Sequence, residues 1–153
     1  MTKPDRTTAL IDPLAGQLGY ELRRAAAAMM TAFGGELEPL GLRPSEASML
    51  VLIGSNPGRT QSDLGRALRI KPANMVPIIN RLVMSGAVRR EPGEGRSLAI
   101  FLTDDGKAIY RQVRKKLLRH ERRFSRRLSR DARRRLIDAL RSICSEACRG
   151  LDF

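Results

Sequence analysis

Apolar residues recur along this chain at two periods, and the places where the period changes divide it into elements. Over residues 14–37, Leu14, Leu18, Leu22, Met29, Phe33 and Leu37 fall at helical spacing, and the alanines at 25–28 add helix propensity. Pro39, Gly41 and Pro44 interrupt that pattern. Ser45 then has the character of an N-cap for a second helix, whose apolar run covers 49–53 and which is expected to stop at Gly54. Ser55-Asn56-Pro57-Gly58 reads as a turn.

The stretch TQSDLGRALRIKPANMVPIINRL, residues 60–82, carries the most information. Thr60 caps a short helix with Asp63 at the third helical position, a capping-box arrangement. Leu64, Ala67 and Leu68 form the expected inner face, with Ala67 as the small residue that allows a close helix approach. Arg69-Ile70-Lys71 is a three-residue connection, and Pro72 stands where a first helical turn tolerates it. The next helix is expected to bury Met75, Ile78, Ile79 and Leu82 and to end near Gly86. Two short helices joined so tightly make a helix-turn-helix, whose second helix is placed to enter a major groove. The period then drops to two. Residues 87–91 read as a strand, Pro92-Gly93-Glu94-Gly95 as a turn and 97–102 as the returning strand. A hairpin in this position is a wing, and Arg96 at its base is positioned to probe a minor groove.

Helical spacing returns after Thr103, which is an N-cap with Asp104 and Asp105 in the first turn. Ile109, Val113, Leu117, Phe124 and Leu128 follow at spacings of four, four, seven and four, predicting a long amphipathic helix over about 104–129. In the last segment, 131–150, Ala132, Leu136, Leu140, Ile143 and Ala147 make another stripe, with Cys144 and Cys148 at its edge. The first and last helices thus carry long apolar stripes outside the winged module, and a second subunit is the simplest partner for them. Cys144 and Cys148 are read as packing in that interface.

Charge sharpens this picture. The 153 residues hold 29 Lys+Arg against 16 Asp+Glu, a net +13. Residues 111–135 contain 13 cationic and two acidic side chains, so this one stretch carries +11 and the rest of the chain +2. A surplus of that size points to polyanionic partners, either DNA phosphates or an anionic ligand, although a helix face can also be basic simply for solubility. His120, within this stretch, is expected to be neutral and exposed. Tryptophan is absent and aromatics make up 4%, which argues against a stacking platform for single strands. Two cysteines and one histidine provide neither a disulfide framework nor a zinc site, and no catalytic motif is present. The expectations are therefore no catalytic residue, no metal, no cofactor, no membrane partner and a cytoplasmic location.

The order helix, helix, helix-turn-helix, wing, long helix, terminal helix resembles the MarR family of transcription regulators. The wording resembles it too: LRPSEASMLVLI at 42–53, TQSDLGRAL at 60–68, NRLVMSGAVRR at 80–90 and LTDDG at 102–106. The likeness covers roughly residues 14–148. It implies a mainly α fold with a small β-hairpin wing, a winged helix-turn-helix with N- and C-terminal dimerisation helices. The implied organisation is a flexible N-terminus over 1–12, a helical dimerisation region over 13–40 and 104–150, and a DNA-binding domain over 42–103. The implied partners are a second copy of the chain, double-stranded DNA with a pseudo-palindromic operator, and a small-molecule effector that releases the repressor. Two departures stand out: Pro77 occupies the middle of the recognition helix, where many members carry a polar or basic residue, and the wing reads Glu94-Gly95-Arg96 with one arginine. KPANMVPIINRL with the short EGRS wing resembles the branch of repressors that respond to hydroxycinnamoyl-CoA thioesters, making p-coumaroyl-CoA or a related aromatic acyl-CoA the expected effector. The phosphates of CoA would use the basic helix.

Thr60, Gln61 and Ser62, at a helix N-terminus, are expected to meet a phosphate. Base reading falls to Lys71, Ala73, Asn74 and Val76, since Asn pairs with adenine and Lys reaches guanine or phosphate. Arg89, Arg90, Arg96 and Ser97 supply the wing contacts. For the effector the resemblance implies a pocket between the dimerisation helices and the winged domain, with Tyr20, Arg23, Arg24, Ala27, Met30, Met49 and Arg111 as candidates. Three other readings stay open at this point: a regulator with a small phenolic acid as effector, a sequence-indifferent architectural DNA binder, and, with least support, an acyl-CoA enzyme.

Overall fold

The structure, a computed structural model, describes residues 12–93, 95 and 97–147. The expected flexible N-terminus therefore lies almost wholly outside the described residues, as do Glu94, Arg96 and Cys148. Six helices and three short strands follow one another: α1 (Leu18–Leu37), α2 (Pro44–Ser55), β1 (Arg59–Thr60), α3 (Gln61–Leu68), α4 (Pro72–Met84), β2 (Val88–Pro92), β3 (Leu98–Leu102), α5 (Asp104–Ser125) and α6 (Arg130–Ala147). The chain divides into two units inside α1, residues 1–32 and 33–153.

In the first unit, α1 begins one turn later than the apolar spacing predicts. The carboxylate of Asp12 accepts the Leu14 N–H and the Tyr20 hydroxyl, and Gly16 takes φ +83°, which holds the chain in a turn until Leu18. Arg23 and Arg24 stack on the Tyr20 ring, with guanidinium carbons 5.3 and 5.4 Å from its centroid.

The second unit is built on two cores. The larger one joins Met49, Leu50 and Ile53 of α2 to Leu64 of α3, to Met75, Ile79 and Leu82 of α4, and to Val88, Ile100 and Leu102 of the sheet. The smaller one packs Phe33 and Leu37 of α1 on Ala47 of α2 and Val113 of α5. The C-terminal end of the α1 stripe and Val113 of the α5 stripe thus meet on α2. Two expectations for α2 are corrected. Its N-cap is Arg43, not Ser45: Pro44 takes the first helical position, where a missing N–H costs nothing, and the Glu46 carboxylate accepts the Arg43 N–H at 2.9 Å. It also runs through Gly54 to Ser55, because that glycine serves packing: a Cβ there would lie 2.7 Å from the Tyr110 ring.

The wing is a three-stranded antiparallel sheet in the order β1-β3-β2 rather than a lone hairpin. Arg90 pairs with Ile100 on one side of β3, and Arg59 pairs with the same Ile100 on the other. A strand of two residues has no detectable period, which is why β1 left no trace in the sequence pattern.

The long basic helix α5 ends at Ser125, four residues short of the expected end, and Leu128 is exposed. His120 is corrected most sharply: it is only 4% exposed, not on the solvent face. Its ring sits 5.0 Å from Phe33 and 4.8 Å from Phe124, and its Nδ1 lies 3.6 Å from a carboxylate oxygen of Glu36. His120 fills the seven-residue gap between Leu117 and Phe124 in the apolar stripe. Partial burial, the largest single influence on Glu36, raises its carboxyl. The hydrogen bond and charge of Arg119 together with those of His120 outweigh it and hold the carboxyl below its ordinary value. The last helix, α6, has no buried residue among those described, and Leu136, Leu140 and Ile143 stand exposed in a line. Cys144 is exposed as well, with its sulfur 2.7 Å from Arg69 Nη1.

Candidate nucleic-acid interface and effector cavity

The helix-turn-helix is set by local chemistry at α3. Thr60 Oγ1 accepts the Asp63 N–H at 3.2 Å and donates to Asp63 Oδ2 at 2.8 Å, while the Thr60 N–H donates to that same oxygen. The hydrogen bond from Thr60, then that from Arg66, hold the Asp63 carboxyl below the ordinary aspartate range. Because this pKa is lowered by folding, the cap's contribution is complete above pH about 4 and is lost as pH falls through the lowered value. Thr60→Ala is expected to cost about 1 kcal/mol of stability at pH 7. The difference between variant and wild type should shrink in acid; equal differences at pH 7 and in strong acid would remove the cap from the account.

The turn from α3 to α4 depends on Gly65, not on Ala67. Ala67 is exposed, whereas Gly65 is buried, and a Cβ there would meet the Ile70 carbonyl oxygen and Met75 Cγ at 3.3 Å. Arg69 closes α3 in a left-handed conformation, φ 52°, and the Ile70 N–H reaches the Gly65 carbonyl at 2.9 Å. Gln61, Ser62 and Arg66 border a cleft that extends to Ile70, Pro72 and Met75. Lys71 is the exposed N-cap of α4, and Ala73, Asn74 and Val76 follow it on the solvent side of the helix.

On the wing, Arg89 Nε pairs with Glu91 at 2.7 Å, its Nη1 donates to the Leu102 carbonyl at 3.1 Å, and its guanidinium covers the Phe101 ring. Arg90 donates from Nη2 to Asn80 Oδ1 at 2.7 Å and so ties the wing to α4. The turn is closed by the Gly93 N–H donating to the Ser97 carbonyl at 3.0 Å. Arg96 lies outside the described residues.

A cavity of about 270 Å³ opens between α2 and α5. Phe33, Ala47, Val51, Leu52, Leu68, Val113 and Leu117 make its wall apolar, and Ser48 and Ser55 bring hydroxyls to it. Of the seven effector candidates, Met49 is sealed in the larger core and Arg111 is exposed; neither lines this cavity. Met30 is 49% exposed, and Tyr20, Arg23 and Arg24 form the cluster on α1 described above. None of the nine lining residues is among the effector candidates expected from the sequence; Phe33, Leu68, Val113 and Leu117 read there only as apolar helix faces. Val51 and Leu52 look like core in the apolar run of α2, Ser48 carries no pattern of its own within that helix, and Ser55 reads as a turn residue.

Comparison with known proteins decides the family. Residues 40–97 match the MarR family. A protein of Thauera aromatica named as a transcriptional regulator for the hcr operon is 30% identical over 133 residues, covering 85% of this chain and 80% of its own length. The chain belongs to the MarR family. It is thus a DNA-binding transcription regulator of a family of dimers, not an enzyme. Among solved structures, the transcriptional repressor CouR bound to a 23-mer DNA duplex is 32% identical, with TM-score 0.81 over 89% of this chain and 99% of that one. CouR bound to p-coumaroyl-CoA gives TM-score 0.80 at the same identity, over 88% and 96%. The winged helix-turn-helix fold is the one expected from the element order. Among the described residues, no helix is long and apolar enough to cross a membrane.

Proposed function

We propose that this MarR-family protein represses genes for catabolism of aromatic acids of the hydroxycinnamate class and is released from DNA by an aromatic acyl-CoA. The observation that carries this reading is the apolar cavity beside the basic helix. Its volume suits an aromatic acyl group with a hydroxyl or carbonyl for Ser48 or Ser55, and it is too small for the nucleotide of coenzyme A. The phosphates then lie outside the cavity, where the positive charge concentrated on α5 favours them, and Arg111 of that helix is a proposed contact. Tyr20, Arg23, Arg24, Ala27 and Met30 of α1 are further proposed ligand contacts. The likeness to CouR, captured with p-coumaroyl-CoA, supports the same ligand class.

On the DNA side, Thr60, Gln61 and Ser62 are proposed to hold phosphate, with Lys71 at the N-cap of α4 reaching phosphate beside them, Ala73, Asn74 and Val76 to face bases, and Arg89, Arg90 and Ser97 to position the wing. Arg96 is the proposed minor-groove probe. Release requires that the thioester prefer a conformation that binds DNA poorly, since only differential affinity shifts a population.

Fluorescence anisotropy on DNA from upstream of the protein's own gene, at fixed salt, tests this. p-Coumaroyl-CoA is expected to weaken binding by about tenfold or more, while free p-coumarate and CoA alone leave it unchanged. Release by the free acid would replace the thioester with a small phenolic effector, and release by none of the three would remove the ligand assignment. In the same titration Arg96→Ala should weaken binding without dissociating the dimer; wild-type affinity would remove the wing contact.

A further inference from the structure

Ala73, Pro77, Asn80 and Met84 fall at i, i+4, i+7 and i+11 of α4 and share the face turned away from the buried Met75, Ile79 and Leu82. All four are exposed, with Met84 at 86%, and Val76 beside them is 46% exposed. None of these side chains is charged. The one cation within the helix, Arg81, is already engaged. Its Nε lies 2.8 Å from Glu46, whose carboxylate is buried and needs that partner. Asn80 is engaged as well, its Oδ1 accepting from Arg90.

The outer face of the recognition helix therefore has no cationic side chain of its own; exposed Arg66 and Lys71 flank its N-terminal end, and Arg90 reaches Asn80 from β2. In a major groove the bases are told apart by chemistry. Guanine is read by Arg or Lys at O6 and N7, adenine by a bidentate Asn or Gln, and thymine by apolar contact with its C5-methyl group. Surrounding cations hold phosphates and carry no sequence information of their own.

We propose that α4 reads A·T base pairs, with Val76 and Pro77 packing on thymine methyl groups and Asn74 pairing with adenine. This rests on the reading that α4 enters the major groove, and it names the base chemistry that this helix selects. Pro77 suits such a contact because its ring presents an apolar surface with fixed geometry, where a basic residue would select guanine. Arg81 is withheld from the bases by Glu46, so the ion pair that stabilises the domain also shapes its specificity.

The test selects bound duplexes from a library with a randomised core, using the full-length dimer at fixed salt. The enriched duplex is then resynthesised with deoxyuridine in place of thymidine, which removes only the methyl groups. Enriched half-sites should be A·T at the positions covered by α4, and each contacted methyl removed should weaken binding about fourfold. In Val76→Ala, whose exposed position keeps the fold intact as checked by its melting temperature, the uracil penalty should shrink while phosphate-driven binding persists. Enrichment of G·C at those positions, or a uracil duplex bound as tightly as the thymine one, overturns the assignment. Failure to enrich any sequence overturns it together with the major-groove reading. Release by acyl-CoA is measured in the separate titration, so neither result bears on the effector.

Discussion

Gly106→Ala is expected to destabilise the protein by about 3 kcal/mol or more, lowering the melting temperature by roughly 10 °C. Gly106 lies in the first turn of α5 directly after the wing, and a Cβ at this residue would overlap the Ala87 carbonyl oxygen. That oxygen has no room to retreat, because it accepts the Thr103 N–H at 3.1 Å. Thr103 is fixed in turn: its hydroxyl donates to the Gly86 carbonyl at 2.6 Å and accepts the Gly106 N–H at 2.9 Å. A methyl group at residue 106 must therefore separate the start of α5 from the start of β2, and the sheet edge moves with it. Gly35→Ala is the control. Nothing stands within 4 Å of a Cβ there, and the residue is helical and exposed, so the change should be neutral or stabilising by about 0.5–1 kcal/mol. Urea unfolding of both variants checks the pair, and a Gly106→Ala protein as stable as wild type would show that the two elements tolerate separation.

The second large effect concerns Glu46 and Arg81. Glu46 is 3% exposed, bonded to the Arg43 N–H and paired with Arg81, whose own side chain remains 48% exposed. The two partners are not equivalent. Arg81→Ala leaves a carboxylate buried with its charge uncompensated, and a loss of about 3 kcal/mol is expected. Glu46→Gln removes the charge yet keeps an oxygen for the Arg43 N–H, and its freed arginine can turn to water, so about 1–2 kcal/mol is expected. Comparing the two denaturation curves measures the asymmetry. Equal losses would mean that water reaches the Glu46 carboxylate once Arg81 is gone.

Elements with strong local signals were legible before the structure. Capping by Thr60 and Thr103, the proline at the start of α4, the alternation in β3 and the stripes of α5 and α6 are written in residues close together in sequence. Their order sufficed to bring the MarR resemblance into view. Signals failed where the deciding partner lies far along the chain. Gly54 looked like a helix stop, but Tyr110 of α5 packs against it. Ala67 looked like the close-approach residue, but the crossing with Met75 falls at Gly65. His120 looked like one more polar residue on a charged helix, although the seven-residue gap in the stripe marked its position as inward-facing.

The sequence by itself determined the family, the place of the helix-turn-helix in the chain and the concentration of charge on one helix, because these depend on periodicity, caps and composition. Tertiary structure decided what each side chain is free to do. Arg81 is a potential base reader until Glu46 engages it, and Met49 is a potential ligand contact until the core closes over it. The cavity proposed for the effector exists only where α2 and α5 leave a gap, with a wall drawn from α1, α2, α3 and α5. No local pattern encodes such a space, since it is defined by where separate helices fail to touch.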